Sequence, residues 1–173
     1  MGHTEADRTV SESMGLRWVQ MRHFPHRSLH PRYRTAPHDA LIGIGGNLGN
    51  VSGRFARLFA YWSRSRRVEI VATSPILINP PFGYREQPEF YNAVVHVHTP
   101  LDPQELLRYI LYTEKRFGRK RTFPNAPRTL DLDLIFYDRR RIETSRLCLP
   151  HPFWCVRDSV VMPLQKMKGT IPW

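Results

Sequence analysis

Arg128-Thr129-Leu130-Asp131-Leu132-Asp133-Leu134-Ile135-Phe136-Tyr137 is the stretch that decides the fold. Leu130, Leu132 and Leu134 alternate with Asp131 and Asp133, the period-two pattern of a strand with one greasy face. The reading is a strand from Leu130 to Tyr137 whose two aspartates share a face, roughly 7 Å apart at a rise of about 3.3 Å per residue. Carboxylates held that close raise one another's pKa unless a cation lies between them. Mg²⁺ is a hard cation that takes one or two carboxylates together with phosphate oxygens and water. For an isolated Asp-x-Asp, two solvated aspartates on an exposed sheet face remain the alternative.

The flanking residues weigh against that alternative. From Lys115 to Arg128 there are six basic residues (Lys115, Arg116, Arg119, Lys120, Arg121, Arg128) and no acidic one, on a stretch broken by Gly118, Pro124 and Pro127. Arginines beside a carboxylate pair are the parts needed to hold a metal–nucleotide complex, and a loop with few apolar anchors can close over it.

Further out, the chain alternates strands and helices. Ala40 to Gly45 reads as a strand ended by the turn Gly45-Gly46-Asn47. Ser52 stands where it would cap a helix reaching about Arg67, with Phe55, Leu58, Phe59 and Trp62 on one face. A strand from Val68 to about Ile78 follows, stopped by Pro80-Pro81-Phe82-Gly83, and another runs from Phe90 to His98. Asp102-Pro103 opens a helix through Leu106, Leu107, Ile110, Leu111 and Glu114 to Phe117, where Gly118 stops it. After the Leu130–Tyr137 strand, a turn at Asp138-Arg139-Arg140 leads to a paired segment from Arg141 to about Leu147. The order β-α-β-β-α-β with an extra hairpin is that of an α+β ferredoxin-like sandwich, an antiparallel sheet with helices packed on it.

Residues 1–38 lack this periodicity and mix Arg and His with Pro25, Pro31 and Pro37. They read as an N-terminal arm preceding a domain at 39–173, with Trp18, Val19, Phe24 and Tyr33 available to dock on it. The 173 residues, 41% hydrophobic and 12% aromatic, suffice for one globular domain. No apolar run approaches the ~20 residues of a membrane span, and the N-terminus lacks a signal-peptide core. Cys148 and Cys155 have no framework spacing and read as reduced thiols of a cytoplasmic protein. The net charge of +11 points to a polyanionic partner: nucleic acid, anionic membrane or a small phosphorylated ligand.

Two more segments suit a small ligand. Gln87-Pro88-Glu89-Phe90-Tyr91-Asn92 sets amides and aromatics at the start of a strand, the donors and stacking surface a flat heterocycle requires. Pro150-His151 with Arg157 supplies an imidazole and a guanidinium after the hairpin. Apart from His151 and His98, the six other histidines fall mainly in the arm and show no ligand spacing.

Taken together, Ile44-Gly45-Gly46-Asn47-Leu48-Gly49, Asn79-Pro80-Pro81-Phe82-Gly83, Gln87 to Ala93, Glu114-x₃-Gly118-Arg119, Pro127 to Asp133 and Pro150-His151 resemble the 6-hydroxymethyl-7,8-dihydropterin pyrophosphokinase family over about Leu41 to Leu164. The resemblance implies the ferredoxin-like fold and Mg²⁺-dependent transfer of pyrophosphate from ATP to the hydroxymethyl group of the pterin in folate biosynthesis, with AMP leaving. It implies two Mg²⁺ ions on Asp131 and Asp133, with Arg119 and Arg128 neutralising phosphate charge as catalytic residues. By the same matching, Glu114, Arg121, Arg128, Arg146, His151 and Arg157 contact ATP, while Asn79, Pro80, Phe82, Phe90 and Asn92 bind the pterin. It further implies a monomer with ATP and the pterin as partners, and no nucleic acid or membrane. The chain departs from the family pattern at three places. The basic loop is about one residue short and carries Phe123 where a Trp is usual, Ser159 stands where a pterin-stacking Phe is common, with Val160 beside it as a replacement, and Pro152 replaces an aromatic. A pterin- and nucleotide-binding homologue with weak turnover is therefore the second reading, and an RNA-binding ferredoxin-like module, which would want aromatics rather than carboxylates on the strand face, a third.

Overall fold

The computed structural model describes residues 8–13, 15–29 and 38–167. Strands β1 (Arg8–Ser13), β2 (Leu16–Gln20) and β3 (His26–Arg27) precede β4 (His38–Gly46) and helix α1 (Val51–Ser63). Then come β5 (Glu69–Thr73), β6 (Ile76–Asn79), β7 (Phe90–Thr99), α2 (Pro103–Arg116), β8 (Asp131–Tyr137), the short pair β9 (Ile142–Glu143) and β10 (Cys148–Leu149), and α3 (Asp158–Lys166). All pairings are antiparallel, in the order β1-β2-β6-β7-β4-β8, with β5 also on β7 and β3 on β5. With the helices packed on this sheet, the architecture is the expected α+β ferredoxin-like sandwich.

The helices form where capping and periodicity coincide. Asp102 and Glu105 close a reciprocal capping box at the start of α2, Pro103 sits in its first turn, and Gly118 follows its end with a φ of +82°. At α1 the cap is Asn50 rather than Ser52: its Oδ1 accepts from the Gly53 amide at 2.7 Å, leaving Ser52 inside the first turn. The helix also ends at Ser63, short of Arg67.

Phe55, Leu58, Trp62, Leu106 and Ile110 from α1 and α2 pack on Ile42, Ile44, Ala93, Val95, Val97, Leu132 and Leu134, the first face of the sheet. The second face carries a smaller cluster, Leu41, Ala72, Val94, Ile135 and Phe136, covered by Val160 and Met167 at α3. A bulge in β8 opposite Leu41 and Ile42 explains how adjacent Ile135 and Phe136 both reach that second face while Tyr137 returns to the first.

Three elements differ from the sequence reading. The Val68–Ile78 strand is two, because Pro75 has no amide to donate and Ser74 breaks the ladder, its Oγ accepting from the Val94 amide. The segment after β8 pairs as β9 with β10, not with β8. The stretch read as an arm contributes strands: Val19 faces Ile76, His26 faces Thr73, and Trp18, Val19 and Phe24 are buried. Tyr33 lies outside the described residues.

Candidate phosphate and heterocycle site

One end of the central strands gathers the chemistry. Gly43 and Gly45 on β4 face Asp133 and Asp131 on β8, and Gly45 faces Asn92 on β7. All of them therefore share the face opposite α1 and α2, and the absence of side chains on the glycines leaves a trough between the carboxylates and the amide. That trough is tight: a β-carbon on Gly45 would stand 2.7 Å from Asn92 Oδ1.

Asp131 lies between two guanidiniums, Arg128 at 2.7 Å and Arg119 at 2.9 Å. Asp133, two residues on, meets Arg157 at 3.5 Å. Burial first, and Asp131 second, push the Asp133 carboxyl above its ordinary range, against the pull of His151, Arg157 and Arg128. His151 is pushed down by burial, with Asp133 opposing; its amide is anchored on the Ile135 carbonyl at 2.9 Å. Two half-buried carboxylates two residues apart on one strand face suit a divalent cation, so the donor set fits Mg²⁺.

Glu114 closes the outer edge of β8. Its buried carboxylate accepts from the Leu132 amide at 2.8 Å and pairs with Arg121 at 3.3 Å, while Arg119 donates to the Leu130 carbonyl at 3.2 Å. An edge strand would otherwise present these groups unpaired. Burial raises the Glu114 carboxyl, partly offset by the Leu132 amide.

The other wall comes from β6 and β7. Asn92 donates to Asn79 Oδ1 at 2.6 Å, and Phe90 lies under the Arg128 guanidinium at 5.1 Å. That cation–π contact joins the heterocycle wall to the phosphate wall. Phe82 stands 90% exposed on its loop beside exposed Pro80. Tyr84 and Phe123 meet edge to face at 5.6 Å, both exposed, and Phe123 lines a cavity of about 400 Å³ with Arg119, Arg121 and Arg128. Arg146 sits exposed in the turn between β9 and β10. Val160 packs into the second core cluster, so it does not fill the space beside half-buried Ser159.

Sequence reasoning did not single out Asn47. Buried behind the trough, it donates to Gln87 Oε1 and the Pro88 carbonyl, both at 2.9 Å, and accepts from the Arg128 amide at 2.8 Å. Arg54 assists by donating to the Leu48 and Thr129 carbonyls. Its signals were an amide in a Gly-Gly-Asn turn and a place in the Ile44–Gly49 segment of the family resemblance, neither of which assigned it a role.

The profile of the 7,8-dihydro-6-hydroxymethylpterin-pyrophosphokinase family matches residues 41–169, which include every element of this site. The chain belongs to that family. It is 41% identical over 145 residues to the 2-amino-4-hydroxy-6-hydroxymethyldihydropteridine pyrophosphokinase of Helicobacter pylori, covering 83% of this chain and 88% of that one. It is also 41% identical over 149 residues to the enzyme of the same name from Campylobacter jejuni, covering 83% and 94%. The Bacillus subtilis pyrophosphokinase is 34% identical over 128 residues, covering 74% and 77%.

Proposed function

We propose that the protein transfers the β,γ-pyrophosphoryl group of ATP to the hydroxymethyl oxygen of 6-hydroxymethyl-7,8-dihydropterin, a step of folate biosynthesis. The observation that carries this reading is the convergence of Asp131, Asp133, Arg119, Arg128 and Arg157 at one sheet end, directly beside Asn79, Phe90 and Asn92. The hydroxymethyl oxygen attacks Pβ, the bond from Pβ to the α,β-bridging oxygen breaks, AMP leaves, and the hydroxyl proton passes to solvent.

Asp131 and Asp133 would hold two Mg²⁺ ions, which supply charge neutralisation to the phosphates. Arg119 and Arg128, which flank Asp131, would pair with phosphate oxygens, bidentate geometry favouring guanidinium over ammonium. Glu114, Arg121, His151, Arg146 and Arg157 line the path of ATP. Asn92, oriented by Asn79, reads the pterin edge; Phe90 supplies ring surface; exposed Phe82 and Pro80 cover the ring from their loop. No side chain here is set as a general base, so the rate comes from in-line positioning and electrostatics.

In this reading the protein acts as a monomer, with ATP and the pterin as its partners. Two free, exposed cysteines accord with a reducing cytoplasm, and no described helix is long and apolar enough to cross a membrane.

Titration calorimetry with an ATP analogue bearing methylene in place of the α,β-bridging oxygen tests this assignment. Binding should require Mg²⁺ and should tighten subsequent pterin binding. Tight binding of the analogue that ignores Mg²⁺ would overturn it.

A further inference from the structure

At the far end of β4 from the trough lies a second cluster of ligating side chains. Asp39 stands six residues before Gly45, about 20 Å along the strand, and directly across from His98 on β7. Asp39 Oδ1 is 2.6 Å from His96 Nε2 and 3.2 Å from His98 Nε2, and the ligand atoms of all three lie within 4.8 Å of one another. The two imidazoles do not stack. Their ring centroids are 5.6 Å apart with planes at 84°, so their nitrogens approach the carboxylate from different directions. On the other side of His98, in register on β5, is the buried carboxylate residue Glu69.

We propose that Asp39, His96 and His98 form a binding site for a divalent transition metal of the Zn²⁺ class, separate from the phosphate site. Two imidazole nitrogens and one carboxylate oxygen suit Zn²⁺ and poorly suit Mg²⁺, which demands oxygen ligands. Bonds of about 2.0–2.1 Å around a tetrahedral ion set ligand atoms roughly 3.4 Å apart. The Asp39–His98 spacing nearly meets that value, and the Asp39–His96 pair has to open by about 0.8 Å, within the reach of side-chain rotation. The backbone is already held: His38 Nδ1 lies 2.8 Å from Asp138 Oδ2, and the Asp39 amide donates to Asp138 Oδ1 at 2.8 Å. The sequence reading assigned His96 no ligand spacing, because its partner lies 57 residues away.

An ion here clips the start of β4 to the end of β7 and stabilises the folded chain by mass action. The test uses the full chain, stripped by a chelator and titrated with ZnCl₂ in excess Mg²⁺, read by calorimetry and thermal unfolding. One equivalent should bind and raise the unfolding temperature. His98→Gln and Asp39→Asn should each weaken binding by more than about ten-fold, since even residues behind metal ligands cost that much, while Asp131→Asn leaves it intact. Absence of binding overturns the proposal, as does binding that survives both first variants or disappears in the third. Histidine-ring NMR of the unmodified chain answers independently of variant folding: Zn²⁺ must shift the His96 and His98 nitrogens, and unmoved signals overturn the proposal.

Discussion

Asn47 and Arg128 are bonded to each other in both directions: the Asn47 amide donates to the Arg128 carbonyl at 3.0 Å, and the Arg128 amide donates to Asn47 Oδ1 at 2.8 Å. A buried side chain after β4 thereby fixes the backbone of the arginine that clamps Asp131. The same Asn47 side chain holds Gln87 and Pro88, so one amide sets the spacing between the phosphate wall and the heterocycle wall.

Asn47→Ala keeps the main-chain bond to the Arg128 carbonyl but removes the side-chain bonds, leaving the Arg128 amide, Gln87 Oε1 and the Pro88 carbonyl without this partner. The expected cost is about 1–3 kcal/mol, a fall in unfolding temperature of roughly 2–4 °C per kcal/mol for a chain of this size. Scanning calorimetry checks the stability, and kcat/KM should fall by more than stability alone accounts for. Unchanged values of both would remove Asn47 from the account.

Gly45→Ala brings a methyl group to 2.7 Å from Asn92 Oδ1. Asn92 must rotate off Asn79, and a misplacement of that size costs up to about 10²-fold. The loss should appear in KM for the pterin, with KM for ATP little changed. A mutant with native pterin KM would show that Asn92 does not read the ring.

Asp131→Ala and Asp133→Ala should each abolish turnover while largely sparing pterin binding measured by calorimetry. Near-native rates in either variant would contradict the metal assignment.

Glu114 separates a structural from an electrostatic role. Glu114→Gln keeps an acceptor for the Leu132 amide and should retain most stability, whereas Glu114→Ala strands that amide and should cost about 1–3 kcal/mol. Equal losses in urea unfolding would mean the charge, not the edge bond, is what β8 needs.

Burial lowers the imidazoles of His26, His96 and His151 below their ordinary value of 6.5. A group whose folded pKa is depressed binds fewer protons in the native state, so stability is full above 6.5 and declines as pH falls toward the folded values. Metal-free protein should therefore unfold at lower temperature at pH 6.0 than at pH 7.5, and His96→Gln should flatten that slope. A rise in stability on acidification across this window would contradict the burial of these rings as neutral groups.

Local signals carried the sequence reading where one element suffices. The capping residues of α2 and the two-residue period of β8 were legible because helix ends and strand faces are set by neighbours in the chain. The face shared by Asp131 and Asp133 followed directly. By contrast, β2 and β3 were hidden because Val19 and His26 find their partners only across the fold, at Ile76 and Thr73. The clamp of Arg119 on Asp131, the Asn47 junction and the meeting of Asp39 with His96 are likewise tertiary events without a periodic signature. At α1 the cap is Asn50, two residues before the Ser52 that the sequence reading named, a choice set by backbone geometry.

The most direct measurement is the nucleotide released when the purified full chain is given 6-hydroxymethyl-7,8-dihydropterin, ATP and Mg²⁺. The account predicts AMP formed one-to-one with pterin diphosphate; ADP as the product, or no turnover in excess Mg²⁺, would contradict it.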